Sequence, residues 1–361
     1  MKKILVTILI CSGALLYSQQ EGMKLPPVDK IDFSKESERV NIINIKVFPK
    51  QILSWNVKYL NIACEEDFTH IPEEIKKLKN LETFSMSGGT GVAVFPNGFA
   101  ELQNLKEITI YSNYIKKFPS PFLKLKNLEK LSLLCPYLES YPEDLGNLGN
   151  LKSLNLFNRE YKMAFVNGKE FYFQPLSLPK SIKNLKKLEN FFATKNMLKS
   201  IPEEIGGMES LKILNLGENY LENLPAGFSK LKNLISIDIS KNNFKIFPSA
   251  LYGVENLERI DYNENVIESF PPGIEKMSKL KYFFATKSKI TSKALSELYN
   301  IPNLESVDLS DCQIESLPPG IDKLKHLKSL SFWGNKISPE ELAKLKRTIP
   351  NVRITTVNPY K

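Results

Sequence analysis

Leucine-type residues recur along the chain at a nearly constant interval. Residues 211–233 read LKILNLGENYLENLPAGFSKLKN and residues 234–256 read LISIDISKNNFKIFPSALYGVEN, with apolar residues at matching positions. The interval is 23 or 24 residues, apart from one of 37 residues. The self-similarity indicates a repeat architecture in which each unit packs on its neighbours. The first apolar position of successive units is occupied by Val57, Leu81, Leu105, Leu128, Leu151, Leu188, Leu211, Leu234, Leu257, Leu280, Leu304 and Leu327.

Each unit has two halves with different patterns. The string L-x-x-L-x-L ends in an alternation of apolar and polar residues, which predicts a short strand with one face buried. The second half carries proline before acidic residues, as in Pro72-Glu73-Glu74, Pro142-Glu143-Asp144 and Pro202-Glu203-Glu204. Proline suits the first position of a helical turn, and acids there favour the positive end of the helix dipole. The pattern therefore predicts a parallel sheet on one side of the stack and short helical turns on the other.

Two units have longer helical patterns. One runs from Ser292 through Leu298, and the other begins at Ser338-Pro339-Glu340-Glu341, which reads as a capping box.

The full pattern, L-x-x-L-x-L-x-x-N-x-L-x-x-L-P-x-x-I-x-x-L-x-x, closely resembles the 23-residue variety of the leucine-rich repeat family. The resemblance implies an α/β repeat fold: a leucine-rich repeat solenoid, or horseshoe, with a concave parallel β-sheet, convex short helical or 3-10 turns and caps at both ends. We expect an N-terminal cap at about residues 40–56, full repeats over 57–351 and a C-terminal strand within 352–361. The concave face is the usual binding face of such proteins.

A polar position follows each predicted strand. An amide there can satisfy buried backbone donors and acceptors in the turn and in the adjacent repeat. Ser288 and Cys312 occupy the same position, whereas Gly89, Pro136 and Arg159 depart from it. The asparagines at this position are Asn113, Asn196, Asn219, Asn242, Asn265 and Asn335.

The interval of 37 residues marks an insertion at about residues 159–175. Asn167-Gly168 separates two runs rich in β-prone residues, and this dipeptide between such runs predicts a β-hairpin with a type I′ turn. Insertions in repeat arrays often lie on the binding face, and Phe165, Phe171 and Tyr172 offer apolar area for a partner. The alternative is that these aromatic side chains pack onto the solenoid.

Outward strand positions provide the remaining candidates for partner contacts. Aromatic and charged side chains on a rigid sheet suit a protein or peptide ligand, or a glycan stacked on the rings. The alternative is that they are ordinary solvated strand positions. The candidates are Tyr111, Phe157, Phe192, Asp238, Arg259, Asp261, Tyr282, Phe284, Asp308 and Trp333.

The N-terminus has the order of a secretory signal. Lys2 and Lys3 precede an apolar run from Ile4 to Leu16, and Ser18 supplies a small residue for cleavage. The run is shorter than the ~20 residues that span a bilayer. We expect residues 1–18 to be a signal peptide rather than a retained anchor, residues 19–39 to be irregular, and the protein to be exported, either periplasmic or extracellular at the cell surface, without stable membrane insertion.

Composition argues against catalysis. The chain of 361 residues has only two histidines and four cysteines, so most metal and nucleophile chemistries lack their residues. His70 and His326 fall far apart in the repeat register, and the chain has no H-E-x-x-H, G-x-S-x-G or P-loop string. We expect no catalytic residue, metal or cofactor.

The net charge of +9 comes largely from lysines at K-L-K-N-L junctions, such as Lys76, Lys77 and Lys79. They predict a basic edge, which we interpret as a soluble rim; the alternative is a surface for acidic lipid headgroups or anionic polysaccharide. We expect no nucleic-acid binding, because the lysines have no interleaved aromatics. Past the signal, Cys64 and Cys135 lie three strands apart, roughly 14 Å, which is too far for a disulfide.

The sequence thus predicts a monomeric, non-catalytic scaffold that binds a protein or peptide through its concave face and its inserted hairpin. The alternative is a structural or adhesive envelope protein whose ligand is a glycan or the cell surface.

Overall fold

The computed structural model describes residues 36–65, 67–88, 92–158, 163–166, 169–172 and 174–358, with 163–166 and 169–172 described by their backbone. The predicted signal peptide, most of the irregular segment after it and the hairpin turn Asn167-Gly168 lie outside these residues. No helix in the described part of the chain is both long and apolar enough to cross a membrane.

Short strands stack side by side into a parallel sheet of 14 strands, in the order β1-β2-β3-β4-β5-β6-β9-β10-β11-β12-β14-β16-β17-β18. The predicted sheet is therefore confirmed. The strands are β1 (Arg39–Ile45), β2 (Tyr59–Cys64), β3 (Thr83–Gly88), β4 (Glu107–Tyr111), β5 (Lys130–Leu134), β6 (Ser153–Phe157), β7 (Met163–Val166), β8 (Lys169–Tyr172), β9 (Asn190–Phe192), β10 (Ile213–Asn215), β11 (Ser236–Asp238), β12 (Arg259–Asp261), β13 (Val266–Ile267), β14 (Tyr282–Phe284), β15 (Lys289–Ile290), β16 (Ser306–Asp308), β17 (Ser329–Ser331) and β18 (Arg353–Thr355).

The core lies behind this sheet and is built by equivalent residues of successive repeats. Leu214 of β10, for example, is in register with Ile237 of β11, which is in register with Ile260 of β12. All three side chains are fully buried. Because successive strand residues point to opposite faces, the register that buries these positions presents their neighbours outward.

Short 3-10 turns form the convex side, as predicted. Proline precedes most of them rather than occupying their first residue; Pro72, for instance, is the cap residue before Glu73–Lys77. The turns are Lys50–Ser54, Glu73–Lys77, Asn97–Glu101, Ser120–Lys124, Leu145–Asn147, Lys180–Asn184, Glu203–Gly207, Ala226–Lys230, Ser249–Gly253, Ile274–Lys276 and Ile321–Lys323.

Glutamates of these turns also connect repeats. The Glu203 carboxylate accepts hydrogen bonds from the backbone N–H groups of Ala226 (3.1 Å) and Gly227 (2.7 Å) in the next repeat. Glu73 does the same with Asn97 (3.0 Å) and Gly98 (2.8 Å). The acids that the sequence assigned to the helix dipole therefore cap the first backbone donors of the following turn.

Both predicted α-helices form, as α1 (Ser292–Leu298) and α2 (Pro339–Thr348). Ser338 caps α2 by accepting a hydrogen bond from the N–H of Glu341 at 3.1 Å. The other half of the predicted capping box differs, because the Glu341 carboxylate accepts from the backbone N–H of Leu317 at 2.8 Å. As in the 3-10 turns, the acidic side chain links two repeats.

Asparagine side chains form a second ladder beside strands β9 to β17. The Asn219 amide donates to the carbonyls of Ala193 (2.9 Å) and Leu216 (2.8 Å), and its oxygen accepts from the N–H groups of Asn196 (3.0 Å) and Leu198 (3.0 Å). Such bonds satisfy backbone groups that would otherwise be buried without partners. The predicted positions in this half of the sheet are confirmed at Asn196, Asn219, Asn242, Asn265, Ser288, Cys312 and Asn335.

The prediction for Asn113 is wrong, because its side chain is exposed. The preceding residue, Ser112, is buried instead, and its hydroxyl accepts from the N–H of Tyr114 at 3.2 Å. Cys135 and Asn158 are buried at the equivalent position. Beside strands β4 to β6 the inward polar position therefore comes one residue earlier than beside the later strands.

The insertion contains the predicted hairpin. Strands β7 and β8 pair antiparallel, with Met163 opposite Tyr172 and Val166 opposite Lys169. This confirms the antiparallel pairing, and the expected type I′ turn at Asn167-Gly168 lies outside the described residues.

Cys64, Cys135 and Cys312 are free thiols. Burial raises the pKa of each to about 12. They are therefore un-ionised at neutral pH.

Candidate functional site

The outward side chains of the main sheet form the concave face. Strand register brings the second outward position of each repeat into one row, which we call the central row. The part of the row on β9 to β17 contains Phe192, Asn215, Asp238, Asp261, Phe284, Asp308 and Ser331, and each of them is half-buried. Neighbouring strands lie about 4.8 Å apart, so side chains that are 23 residues apart in sequence become adjacent.

Asp238 lies near the middle of this row and is held by three hydrogen bonds. Its carboxylate accepts from the hydroxyl (2.6 Å) and the backbone N–H (2.9 Å) of Ser240, and from the amide of Asn215 (3.0 Å). Desolvation by burial raises the pKa of Asp238, and the negative charge of Asp261 on the next strand adds to the rise. The guanidinium of Arg259 acts in the opposite direction and lowers this pKa, although it forms its ion pair with Asp261. The Asp238 carboxylate is thus fixed in position by hydrogen bonds and has no ion-pair partner among the described residues.

Asp261 has a different environment because it forms a bidentate ion pair with Arg259 on the same strand. The guanidinium nitrogens lie 2.7 Å and 2.8 Å from the carboxylate oxygens. The guanidinium carbon also lies 4.5 Å from the centre of the Phe284 ring. This arrangement holds Arg259 flat on the face and neutralises Asp261 locally.

Asp308 repeats the local geometry of Asp238. One of its carboxylate oxygens accepts from the hydroxyl (2.6 Å) and the N–H (3.0 Å) of Ser310. Ser310 in turn lies 2.8 Å from the hydroxyl of Ser331 on the next strand. Tyr282 and Trp333 are half-buried beside this region.

The earlier strands of the concave face carry fewer charges and an apolar row at their carboxyl ends. Tyr111, Leu134 and Phe157 are in register on β4, β5 and β6, and Tyr111 is 49% exposed. The Lys195 ammonium lies 5.4 Å from the centre of the Phe157 ring. The insertion begins directly after this row.

The structure therefore brings the predicted residues of the later repeats into one contiguous patch. Tyr111 and Phe157 lie in the separate apolar row. Phe165 is in β7, and Phe171 and Tyr172 are in β8; their side chains lie outside the described residues.

Sequence reasoning missed the serines that orient the two aspartates. Asp238-Ile239-Ser240 and Asp308-Leu309-Ser310 share the pattern D-x-S, in which the aspartate and the serine flank a core residue; Ser240 is half-buried and Ser310 is buried. The sequence shows this pattern. Whether the serine reaches the aspartate depends on the backbone staying extended past Asp238 and Asp308, which the pattern alone does not establish.

Of the lysines that predicted a basic edge, Lys76 and Lys79 lie 3.5 Å and 3.0 Å from the carboxylate of Glu101 in the next repeat. A second set of lysines, directly after the first apolar position of a repeat, alternates with glutamates. Lys106 pairs with Glu82 (2.9 Å) and Lys152 with Glu129 (2.8 Å), each across neighbouring repeats. Hydrogen bonds from these lysines lower the pKa of both glutamates. Exposed pairs of this kind contribute little individually, and their alternation leaves less positive charge on this edge than the lysines alone suggested.

No group of three or more His, Cys, Asp or Glu side chains in the described part of the chain has a metal-binding arrangement. The concave face thus offers fixed carboxylates, a held guanidinium and aromatic rings, which are groups for recognition.

Comparisons with known proteins agree with this architecture. Models described as leucine-rich repeat region, leucine rich repeat and leucine rich repeats (2 copies) match residues 53–191, 209–267 and 302–346. No curated protein matches the chain in sequence.

Several solved structures share the fold. A leucine-rich repeat protein of Leptospira interrogans is 23% identical, with a TM-score of 0.50 over 92% of this chain and 100% of its own. An internalin of Listeria monocytogenes is 19% identical, with a TM-score of 0.55 over 80% of this chain and 79% of its own. The plant peptide hormone receptor RGFR1, solved in complex with RGF2, is 21% identical, with a TM-score of 0.58 over 90% of this chain and 57% of its own.

Proposed function

Because the chain belongs to the leucine-rich repeat family, we propose that it is a non-catalytic scaffold that binds a protein or peptide on its concave face. The observation that carries the proposal is the patch on β9 to β17, where the charged side chains are held by hydrogen bonds and, like the aromatic rings beside them, remain partly open to solvent. Side chains that are ordered before binding lose little conformational entropy when a partner arrives, which favours affinity.

The structural neighbours support the class of ligand. The plant receptor of the same fold was solved with RGF2 bound. The fold alone does not fix a ligand, so the proposal for this chain rests on its own concave residues: Phe192, Asp238, Arg259, Asp261, Tyr282, Phe284, Asp308 and Trp333. Tyr111 and Phe157 extend the proposed contact area toward the insertion.

We propose further that the hairpin β7–β8 takes part in binding, through Phe165, Phe171 and Tyr172, and that the protein acts as an exported monomer, periplasmic or at the cell surface. The secretory pattern of residues 1–18 supports export. The hairpin lies in sequence between Phe157 and Phe192, two of the aromatic residues proposed to contact the partner.

The test begins with a partner captured by crosslinking on the native envelope and then purified. We expect saturable one-to-one binding of this partner, and we expect the double variant Phe192→Ala/Phe284→Ala to weaken its affinity at least tenfold, because half-buried aromatic side chains supply much of the contact energy of an interface. Circular dichroism and thermal unfolding confirm that the variant keeps its fold. Unchanged affinity would mean that the concave face is not the binding site.

The same titration examines the hairpin. Replacing residues 160–174 by a short glycine–serine linker weakens binding if the hairpin contacts the partner, and leaves it intact if its aromatic residues only pack on the solenoid. Retention on insoluble cell-wall or polysaccharide material, without a saturable protein partner, would instead favour the structural or adhesive function.

A further inference from the structure

The central row and its neighbours are acidic in a basic protein. The outward positions of β10, β11, β12, β14, β16 and β17 contain three aspartates and one arginine, a net charge of −2, whereas the whole chain carries +9. The positive charge of the chain is therefore located elsewhere on its surface.

Within this patch the single cation already has its partner. Arg259 is held by the bidentate ion pair with Asp261 and by the ring of Phe284. Among the described residues, no Lys, Arg or His lies within ion-pair distance of Asp238 or Asp308. These two carboxylates on the row thus have no ion-pair partner among the described residues.

Both of these carboxylates have a fixed orientation. Ser240 holds one oxygen of Asp238 with two hydrogen bonds, and Ser310 holds one oxygen of Asp308 in the same way. The second oxygen of Asp308 accepts no hydrogen bond from the described residues. An incoming cation would find acceptors already in place, which lowers the entropic cost of forming each ion pair.

We propose that the central row binds an extended segment of a partner protein that carries two basic side chains four residues apart, one on Asp238 and the other on Asp308. This inference rests on the proposed function and specifies the chemistry of its ligand. Asp261 and Phe284 lie between the two carboxylates, on the two strands that separate them.

The spacing follows from sheet geometry. Asp238 and Asp308 are three strands apart, and at about 4.8 Å per strand their separation is roughly 14 Å. An extended chain advances about 3.4 Å per residue, so residues i and i+4 are also roughly 14 Å apart and point to the same side. A residue at i+2 points to that side too and lies near the Phe284 ring, where an apolar side chain is favoured.

Other conformations of the ligand do not reach both carboxylates with this spacing. In a helix, residues i and i+4 are only about 6 Å apart along the axis. An odd spacing in an extended segment directs the two basic side chains to opposite sides. Spacing is therefore the quantity that distinguishes this mode of binding from general attraction between opposite charges.

The probes are acetylated and amidated nonapeptides with two arginines at spacings of two, three, four or six, a leucine between them and otherwise identical composition. Fluorescence anisotropy measures their binding to the full chain. We expect the peptide with spacing four to bind at least fivefold more tightly than the others, and a glutamate version of it not to bind. Equal affinities at spacings three and four, or no binding by any arginine peptide, would overturn the inference.

Charge variants provide the second arm. Asp238→Asn and Asp308→Asn each keep a side-chain oxygen that can accept from the serine. Each should lower the affinity for the peptide with spacing four about tenfold. Asp322→Asn makes the same change of charge on a convex turn and should leave affinity unchanged. If both row variants bind the peptide like the unaltered protein, the inference is wrong.

The native partner separates this inference from the function on which it rests. If Phe192→Ala/Phe284→Ala abolishes partner binding while Asp238→Asn/Asp308→Asn does not, the concave face binds its partner without the predicted ion pairs, and only the inference fails. If the phenylalanine variant leaves partner binding unchanged, the proposed function itself fails.

Discussion

The two halves of the main sheet differ in strand length and in the residues that complete the core at the end of each strand. Strands β1 to β6 contain five to seven residues, whereas β9 to β12, β14 and β16 to β18 contain three. In the earlier half, alternation continues to the end of the strand, so Leu131, Leu133 and Cys135 all point into the core. In the later half, the chain leaves the strand early and an amide ladder completes the core.

One backbone conformation distinguishes the later half from strands β4 to β6. The residue before each ladder position in the later half has a positive φ, as at Glu218 (56°) and Lys287 (54°). This left-handed conformation turns the chain so that the next side chain points inward. Beside β4 to β6 the residues at this point, such as Ser112 and Cys135, have no positive φ and are buried themselves, whereas Gly88 at the end of β3 has a positive φ of 79°.

The comparison shows why equal spacing does not mean equal environment. Asn113 matches the repeat pattern as well as Asn219 does, yet one amide is exposed and the other is buried. What differs is the residue before it: charged Glu218 is kept in solvent by turning the backbone, whereas small Ser112 fits into the core.

The amide ladder gives the largest expected effect. Asn219→Ala removes a buried side chain that serves several backbone groups and leaves them unsatisfied, so we expect the free energy of unfolding to fall by about 3 kcal/mol. Ser112→Ala in the earlier half removes one acceptor and should cost about 1 kcal/mol. Equilibrium unfolding in urea measures both values. The free energy of unfolding of Asn219→Ser should lie between those of the wild type and Asn219→Ala, because Ser288 already occupies a ladder position. Equal losses for Asn219→Ala and Ser112→Ala would contradict the distinction between the halves.

A smaller effect tests the backbone conformation. Lys287→Gly relieves the left-handed strain of about 1–2 kcal/mol at a partly offsetting entropic cost, so we expect a net gain of about 0.5–1 kcal/mol. Lys287→Ala, which keeps a Cβ, should change stability little. Ser112→Gly should destabilise the protein instead, since Ser112 has no positive φ to relieve. Thermal unfolding of these three variants tests whether the left-handed conformation is strained. A loss of stability in Lys287→Gly would contradict the expected relief of strain.

Much of the fold follows from the sequence because each repeat is a local unit. The alternation around Leu214 and Ile237 predicts the buried face, and Asn167-Gly168 predicts the hairpin, since both signals lie within a few residues. The role of Glu203 was not predictable in this way, because its partners Ala226 and Gly227 belong to the next repeat and depend on how closely two turns pack.

The candidate site was likewise only partly predictable from the sequence. Outward positions such as Asp238 and Phe284 are readable from the alternation alone. The ion pair between Arg259 and Asp261, and its stacking on Phe284, depend on side-chain conformations and strand register. These contacts hold Arg259 on Asp261 and Phe284, and Asp238 has no ion-pair partner among the described residues.

The central claim is that the later half of the concave face binds the partner, and site-specific crosslinking tests it most directly. Ser153 on β6 and Ser236 on β11 are both half-buried serines at the first outward position of their strands. A photoreactive benzoylphenylalanine in place of Ser236 should crosslink the purified partner efficiently. The same residue in place of Ser153 should also crosslink it, because β6 carries Phe157, but with a lower yield, and one in place of Asp322 on the convex side should not. Equal yields at Ser236 and Asp322, or the highest yield at Ser153, would contradict the account.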